Sequence, residues 1–353
     1  MSITAPRLGF CCKYLPDDPG PDKAAAKAAK DLLKSMNLTT ATMAHLTRLG
    51  PAGAREKLAE IVAHNIAALH RQVEWVAARP PVERLLRIAS SVLPGYTHAI
   101  AQPHYAAPEL RRAVEAGLAA IGERARAGGV RLGFHPGPFC ILGTAGEAAL
   151  ANAIDELDYH AELMGLMGYV GWHPDGAHVN IHVGARAGGT ETFRANLPKT
   201  SQAARDLVTV ENDETSFGFD EVLELADVVP VVFDLHHHWI ASGGEYVEPD
   251  DPRIARVQDS WRGVRPMSHV SAPKEIYAAD PEQLPDFAAL IAAGAKPRDL
   301  MAHSDMMWNR ALNDLVARHL AWSDFEIEAK SKNLASTDLA ASLAARGGLS
   351  RAA

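Results

Sequence analysis

The sequence predicts one α/β domain, a (β/α)8 TIM barrel with a multinuclear metal site at the C-terminal face of its strands. Three observations lead there. Eight short apolar runs alternate with long helical stretches along the 353 residues, and strand–helix alternation implies a parallel sheet. Eight such repeats are the number at which a parallel sheet closes into a barrel. Finally, six histidines and three carboxylates (His98, His135, His182, Glu211, Asp234, His237, His269, His303 and Glu328) follow the ends of these runs. A parallel barrel delivers every strand end to one face, so residues far apart in sequence can share a pocket. Imidazoles mixed with carboxylates are donors for first-row transition metals, and nine of them imply more than one ion.

The first strand is read at Arg7 to Cys11. A long connection, Pro16 to Gly50, follows it, rich first in Pro, Asp and Gly and then in Ala and Lys. Arg55 to Ala78 is the first clear helix, with Leu58, Ile61, Val62, Ile66, Leu69 and Val73 on one face at 3.6-residue spacing. Strands are then read at Leu85 to Ala89, Val130 to His135 and Ala177 to Val183, with helices at Pro108 to Ala127 and Glu147 to Met167. Leu207 to Glu211, Pro230 to Asp234, Arg265 to His269 and Asp324 to Ala329 complete the eight. Helices at Asp220 to Ala226 and Met306 to Leu320 fall between them. The barrel is expected over residues 1–334, with an Ala/Ser/Arg-rich tail at 335–353 forming a marginal helix or frayed end.

No run reaches the ~18 apolar residues of a membrane span, and the start has no basic-plus-apolar signal pattern. Cys11, Cys12 and Cys140 show no metal-knuckle or redox spacing, which fits a reducing, cytoplasmic setting. There is no Walker-type loop, nucleotide-binding glycine motif or nucleophile elbow. The net charge is −8, whereas nucleic-acid binders usually carry a basic surface, so a nucleic-acid partner would need a local patch. Lys13, Lys34, Arg48, Arg186, Lys199, Lys274, Arg310 and Lys330 are candidates to line one.

The chemistry can be read run by run. Glu211 ends Leu207-Val208-Thr209-Val210, where a buried carboxylate needs a cation or strong donors; Asp213 is the alternative ligand. Two carboxylate oxygens on a central strand suit a bridge between two ions. Asp234 ends Val231-Val232-Phe233, and His237, three residues on, can face the same pocket toward a different ion. The Pro136-Gly137 turn can fix His135 at the barrel mouth, and His182 ends Val179-Asn180-Ile181. His98 lies several residues beyond its strand. His269, His303 and Glu328 complete the set, with Glu326 sharing the face of Glu328 and competing with it for the inward role.

These motifs in this order resemble the UV-damage endonuclease family, a metal-dependent branch of the xylose-isomerase-like barrels. They are R-L-G-F, R-I-A-S-S-V-L-P…T-H ending at His98, F-H-P-G at His135, N-I-H-V-G at His182 and V-E-N-D-E at Glu211. V-V-F-D-L-H-H-H at Asp234 and His237, S-H-V-S at His269, H-S-D at His303 and E-A-K at Glu328 follow. The resemblance covers about Arg7 to Lys332. It implies a three-metal phosphodiesterase that nicks damaged double-stranded DNA 5′ to the lesion, with Glu211, Asp234, His237 and Glu328 catalytic. It implies one ion among His98, His135, His182 and Glu211, a second among Glu211, Asp234, His269 and Glu328, and a third at His237 and His303. Manganese comes ahead of zinc or iron.

The sequence departs from the family at positions toward substrate. Pro138 and Phe139 replace the polar–aromatic Gln-Tyr pair that probes distorted DNA, Phe10 stands for a tyrosine, and Met267 for a lysine serving the third ion. Phe10, Pro138 and Phe139 are the expected substrate contacts. The departures leave a second reading, a sugar isomerase or other small-molecule metalloenzyme on the same barrel.

Overall fold

In the computed structural model, which describes residues 5–277 and 280–348, eight parallel strands close in chain order. They are β1 (Leu8–Cys11), β2 (Leu85–Ile88), β3 (Arg131–Phe134), β4 (His178–His182), β5 (Val208–Glu211), β6 (Val231–Asp234), β7 (Met267–Val270) and β8 (Asp324–Ile327). Pairing of Gly9 with Glu326 shuts the barrel between β1 and β8. All eight overlap the apolar runs read from sequence. Their outward side chains pack on helices: Phe10, for example, meets Trp75 edge-to-face at 5.9 Å.

The helices that bear on the site are α1 (Lys23–Met36), α2 (Met43–Ala77), α3 (Pro108–Gly128), α4 (Glu147–Leu166), α5 (Leu235–Ser242), α6 (Arg310–His319) and α7 (Lys332–Ala345). The expected helix at Arg55 to Ala78 is the second arm of α2. Its first arm begins at Met43, and the two meet at Gly50, whose φ of 68° and following Pro51 bend the rod. The expected Asp220 to Ala226 helix is a shorter turn at Phe219–Leu223.

Two helices go beyond the sequence reading. The segment expected as a tail from 335 is, through Ala345, the outer helix after β8: it packs on β1 and buries Leu339 and Leu343. Its buried stripe mixes Ala335 and Ala340 with Asn333, Ser336, Leu339 and Leu343, so its hydrophobic period is weak in sequence. Residues 349–353 of that expected tail lie outside the described residues. The helix α5 was not foreseen. The Asp234 carboxylate accepts the His237 N–H at 2.7 Å and caps it.

The barrel interior is polar along its whole depth. At the N-terminal end Arg131, 1% exposed, donates to Asp324 at 2.9 Å and to the carbonyls of Gly176, Arg265 and Pro266. Arg265 grips the other Asp324 oxygen at 2.7 Å. Above this plug the His178 ring occupies space that only Gly133 leaves free, since a Cβ there would sit 2.5 Å from the ring.

Candidate metal centre

At the C-terminal ends of the strands three donor groups form: His135, His182 and Glu211; Glu211, Asp234 and His269; and His237, His303 and Glu328. Within each group the donor atoms lie within 4.8 Å of one another. Eight of the nine residues expected as ligands therefore meet. Alternation places Asn180 and His182 of β4, Glu211 of β5, Asp234 of β6 and His269 of β7 on the inner face.

Four of the histidines are aimed by the nitrogen they do not offer. His135 Nδ1 donates to the Pro136 carbonyl at 3.1 Å, His237 Nδ1 to the Asn212 carbonyl at 3.0 Å, and His303 Nδ1 to the Glu328 carbonyl at 2.8 Å. A carbonyl only accepts, so Nδ1 carries hydrogen and Nε2 keeps its lone pair for the centre. His269 is reversed: Nε2 faces Glu326 at 3.0 Å, and Nδ1 lies 3.1 Å from Glu211. Such outer partners orient metal ligands.

The two oxygens of Glu211 point to different groups. Oε2 meets His135 at 3.0 Å and accepts from the Asn180 amide, while Oε1 faces His269 at 3.1 Å and His237 at 3.2 Å. Burial pushes its carboxyl up, but His269, His182, His135 and His237 outweigh that and hold it well below the usual range. Burial, with Glu211 and Glu328 nearby, raises Asp234 to about 6 despite His237. Glu328 would also rise on burial, but Arg87 and His269 bring it far down.

The donors fit a cation. His182 Nδ1, Glu211 Oε1, Asp234 Oδ2 and His269 Nδ1 are all buried without a hydrogen bond. Orphaned buried polar atoms are costly and rare. Here four of them belong to groups that could ligate an ion, and their mixture of imidazole and carboxylate suits a divalent transition metal.

His98 is the exception. It is exposed, its Nδ1 accepts the Ile100 N–H at 3.1 Å, and it belongs to none of the three donor groups found among the described residues. Instead it lines a cavity of about 390 Å³ with Phe139, Cys140 and Glu156. The loop after β2 carries it outward, a displacement its distance from the strand foreshadowed. Phe10 is 2% exposed and turned toward the helices, so it lies away from the mouth. Pro138 is exposed and Phe139, at 88%, stands clear of the surface in the turn after β3. Met267 is fully buried, in register with Asp324 on β8. Asp213 accepts from Thr215 at 2.8 Å and Phe217 at 3.1 Å, which makes it a turn residue.

Sequence reasoning missed Arg87, Asn180, His178 and Glu214. Arg87 pairs with Glu326 at 3.2 Å and with Glu328; Glu214 approaches His237 Nε2 at 3.6 Å. A signal existed for the first three. Arg87 is a charge inside an apolar strand, and His178, Asn180 and His182 share one strand face at period two. Glu326 and Glu328 both point inward, Glu326 one layer deeper.

Fold and donors define a TIM barrel with candidate metal-binding groups at the C-terminal face of its strands, where enzymes of this fold carry their active sites. The family described as UV-endonuclease UvdE matches residues 24–352. The UV DNA damage endonuclease of Bacillus velezensis is 26% identical, covering 89% of this chain and 91% of that one. The enzyme of the same name from Bacillus cereus is 25% identical, covering 88% and 91%. The crystal structure of SacUVDE superposes with a TM-score of 0.72 at 21% identity, over 97% of this chain and 99% of that one, which shows the shared fold. The chain belongs to the UV-endonuclease UvdE family. It is a hydrolase of that family, an endonuclease of the UV-damage type.

Proposed function

We propose that the protein hydrolyses a phosphodiester of damaged double-stranded DNA on the 5′ side of the lesion, in the cytoplasm, with two or three divalent transition-metal ions, manganese ahead of zinc or iron. The observation that carries the reading is the convergence of orphaned buried donor atoms inside the barrel of a UV-damage endonuclease. His135, His182 and Glu211 would hold one ion, Glu211, Asp234 and His269 a second, and His237, His303 and Glu328 a third. Bound ions of this kind bring the pKa of water to about 7 and neutralise charge on phosphate.

The chain's own residues fix the rest. Glu211 offers one oxygen to each of two groups, which supports a bridging role. The Pro136, Asn212 and Glu328 carbonyls keep three imidazoles in the ligating tautomer. Arg87 restrains Glu328 at the mouth. Phe139 presents an exposed ring that can enter a base stack, as apolar wedges do when they kink DNA. Pro138 beside it adds no polar group, so recognition by this turn rests on stacking. Family membership over residues 24–352 favours this reading over a small-molecule metalloenzyme.

The test is nicking of end-labelled duplex carrying one photoproduct or abasic site, with Mn²⁺, Zn²⁺ or Fe²⁺ supplied and Glu211→Gln as the blank. We expect a cut 5′ to the lesion in the wild type, and in the variant a loss of cutting with more than one equivalent of metal. Metal-loaded wild type that cuts nothing would refute the nuclease reading; full metal content in Glu211→Gln would refute the bridge.

A further inference from the structure

The net charge of −8 leaves open how an acidic protein holds a polyanion, and its positive charge is unevenly placed. Residues 23–57 hold seven lysines and arginines against two carboxylates, a surplus of five within a chain whose total is negative. Four of the seven are Lys23, Lys27, Lys30 and Lys34 of α1. Their spacings of four, three and four residues put them on one face of the helix, within an arc of roughly 60° at 100° per residue. All four are exposed. Among the described residues, the lysines in ion pairs are Lys57 and Lys330, so this face carries unneutralised charge. The opposite face, through Met36, packs toward α2.

The place of this face is set by α2. That helix runs antiparallel to the strands and ends at Ala77, below the start of β2. Its Asn65 amide donates to the carbonyls of Thr39, Ser91 and Val92, and the last two lie just past the C-terminal end of β2. Residues 51–64 therefore extend beyond the strand ends on the side of the metal centre, over a length of about 21 Å at 1.5 Å per residue. Lys30 and Lys34 line a hollow of about 650 Å³ with Lys57, its ion-pair partner Glu60 and His64 from that projecting arm. A cationic wall as tall as a duplex is wide stands beside the mouth. By contrast, two other cations expected to line a groove, Arg310 and Lys330, face Glu282 and Asp305.

We infer that the lysine face of α1, with the projecting arm of α2, is a docking surface for the phosphate backbone of duplex DNA flanking the cut. The inference rests on the nuclease reading for its partner. Contacts to phosphate add affinity and salt dependence without sequence preference, so the surface holds the duplex while the metal centre acts on one bond.

The test is the triple variant Lys27→Gln, Lys30→Gln, Lys34→Gln, whose substitutions are exposed and whose melting temperature should match the wild type. Binding to a metal-free duplex of roughly 40 base pairs is followed by anisotropy against salt; three lost phosphate contacts should flatten the log–log slope by about 2 to 3. At low salt the affinity should fall at least tenfold, while nicking at saturating DNA is unchanged. An unchanged slope would overturn the surface, as would wild-type binding to phosphatidylserine vesicles in preference to duplex. The slope is read from binding alone. A protein that never nicks but shows the flattened slope would sink the nuclease reading and keep the surface.

Discussion

His269 presents Nδ1 to the centre and turns Nε2 to Glu326 at 3.0 Å. Glu326 is fully buried, and its second oxygen faces His178 at 3.6 Å, with Arg87 at 3.2 Å to balance its charge. It touches no expected substrate, so it is a positioning residue. Glu326→Gln should weaken metal binding by roughly 10- to 100-fold, as loss of an outer-shell partner does. Glu326→Asp should recover part of it. Titration of the metal-free protein with Mn²⁺ checks this, and equal affinities in all three proteins would reject the role. Phe139 makes the other prediction at this scale. Its exposed ring contributes little to the fold, so Phe139→Ala should leave stability within about 0.5 kcal/mol. Binding to lesion-bearing duplex should weaken several-fold more than binding to intact duplex. Equal losses on both would rule out a stacking role.

Among the elements, α5 and α7 show how local rules and packing divide the work. Asp234 ends β6 and also caps α5, so the turn that places His237 near Glu211 costs no extra residue. The same carboxylate leaves Oδ2 free for the centre. The helix α7 covers the outer face of β1, the strand that closes the barrel against β8. Leu339 and Leu343 are each 1% exposed, and burying one leucine stabilises by ~1.5–3 kcal/mol. A chain stopped after Leu334 should lose about 3–6 kcal/mol from these two leucines alone, and its urea unfolding should shift far down or lose cooperativity. A truncated chain with wild-type unfolding would show that the barrel closes without its last helix.

For the molecule as a whole, acid is the sensitive direction. His319 is buried with both ring nitrogens committed: Nε2 donates to the Val247 carbonyl at 2.8 Å, and Nδ1 accepts the Trp322 indole N–H at 3.0 Å. Burial brings its pKa down to about 4, and burial brings His173 down to about 3. Both are neutral in the folded state and take up a proton in the unfolded chain near 6.5. Their contribution is complete above pH ~6.5 and is lost as pH falls toward 4, by about 3 kcal/mol for His319 at 1.36 kcal/mol per unit. Urea midpoints of the metal-free protein should drop steadily between pH 7 and pH 5. His319→Gln should reduce that slope while lowering stability at neutral pH. A slope unaltered by the substitution would place the acid sensitivity elsewhere.

The sequence by itself determined the barrel, because eight apolar runs separated by helical stretches leave a parallel sheet few ways to be built. It also determined most of the donor set, because a strand end is a position in one dimension and the barrel maps strand ends onto one face. What a linear reading lacked was depth and direction. It ranked Glu328 over Glu326, and only the stacked layers of the interior show one at the mouth and the other behind His269. It grouped His98 with the ligands by order along the chain, but the course of the loop after β2 carries that ring to the surface. It placed Phe10 at the substrate, whereas strand alternation turns it to Trp75. The lysines of α1 were part of an Ala/Lys-rich connection. Their place beside the mouth depends on where Asn65 pins α2 to the loop past β2, a contact between distant segments that no local pattern encodes.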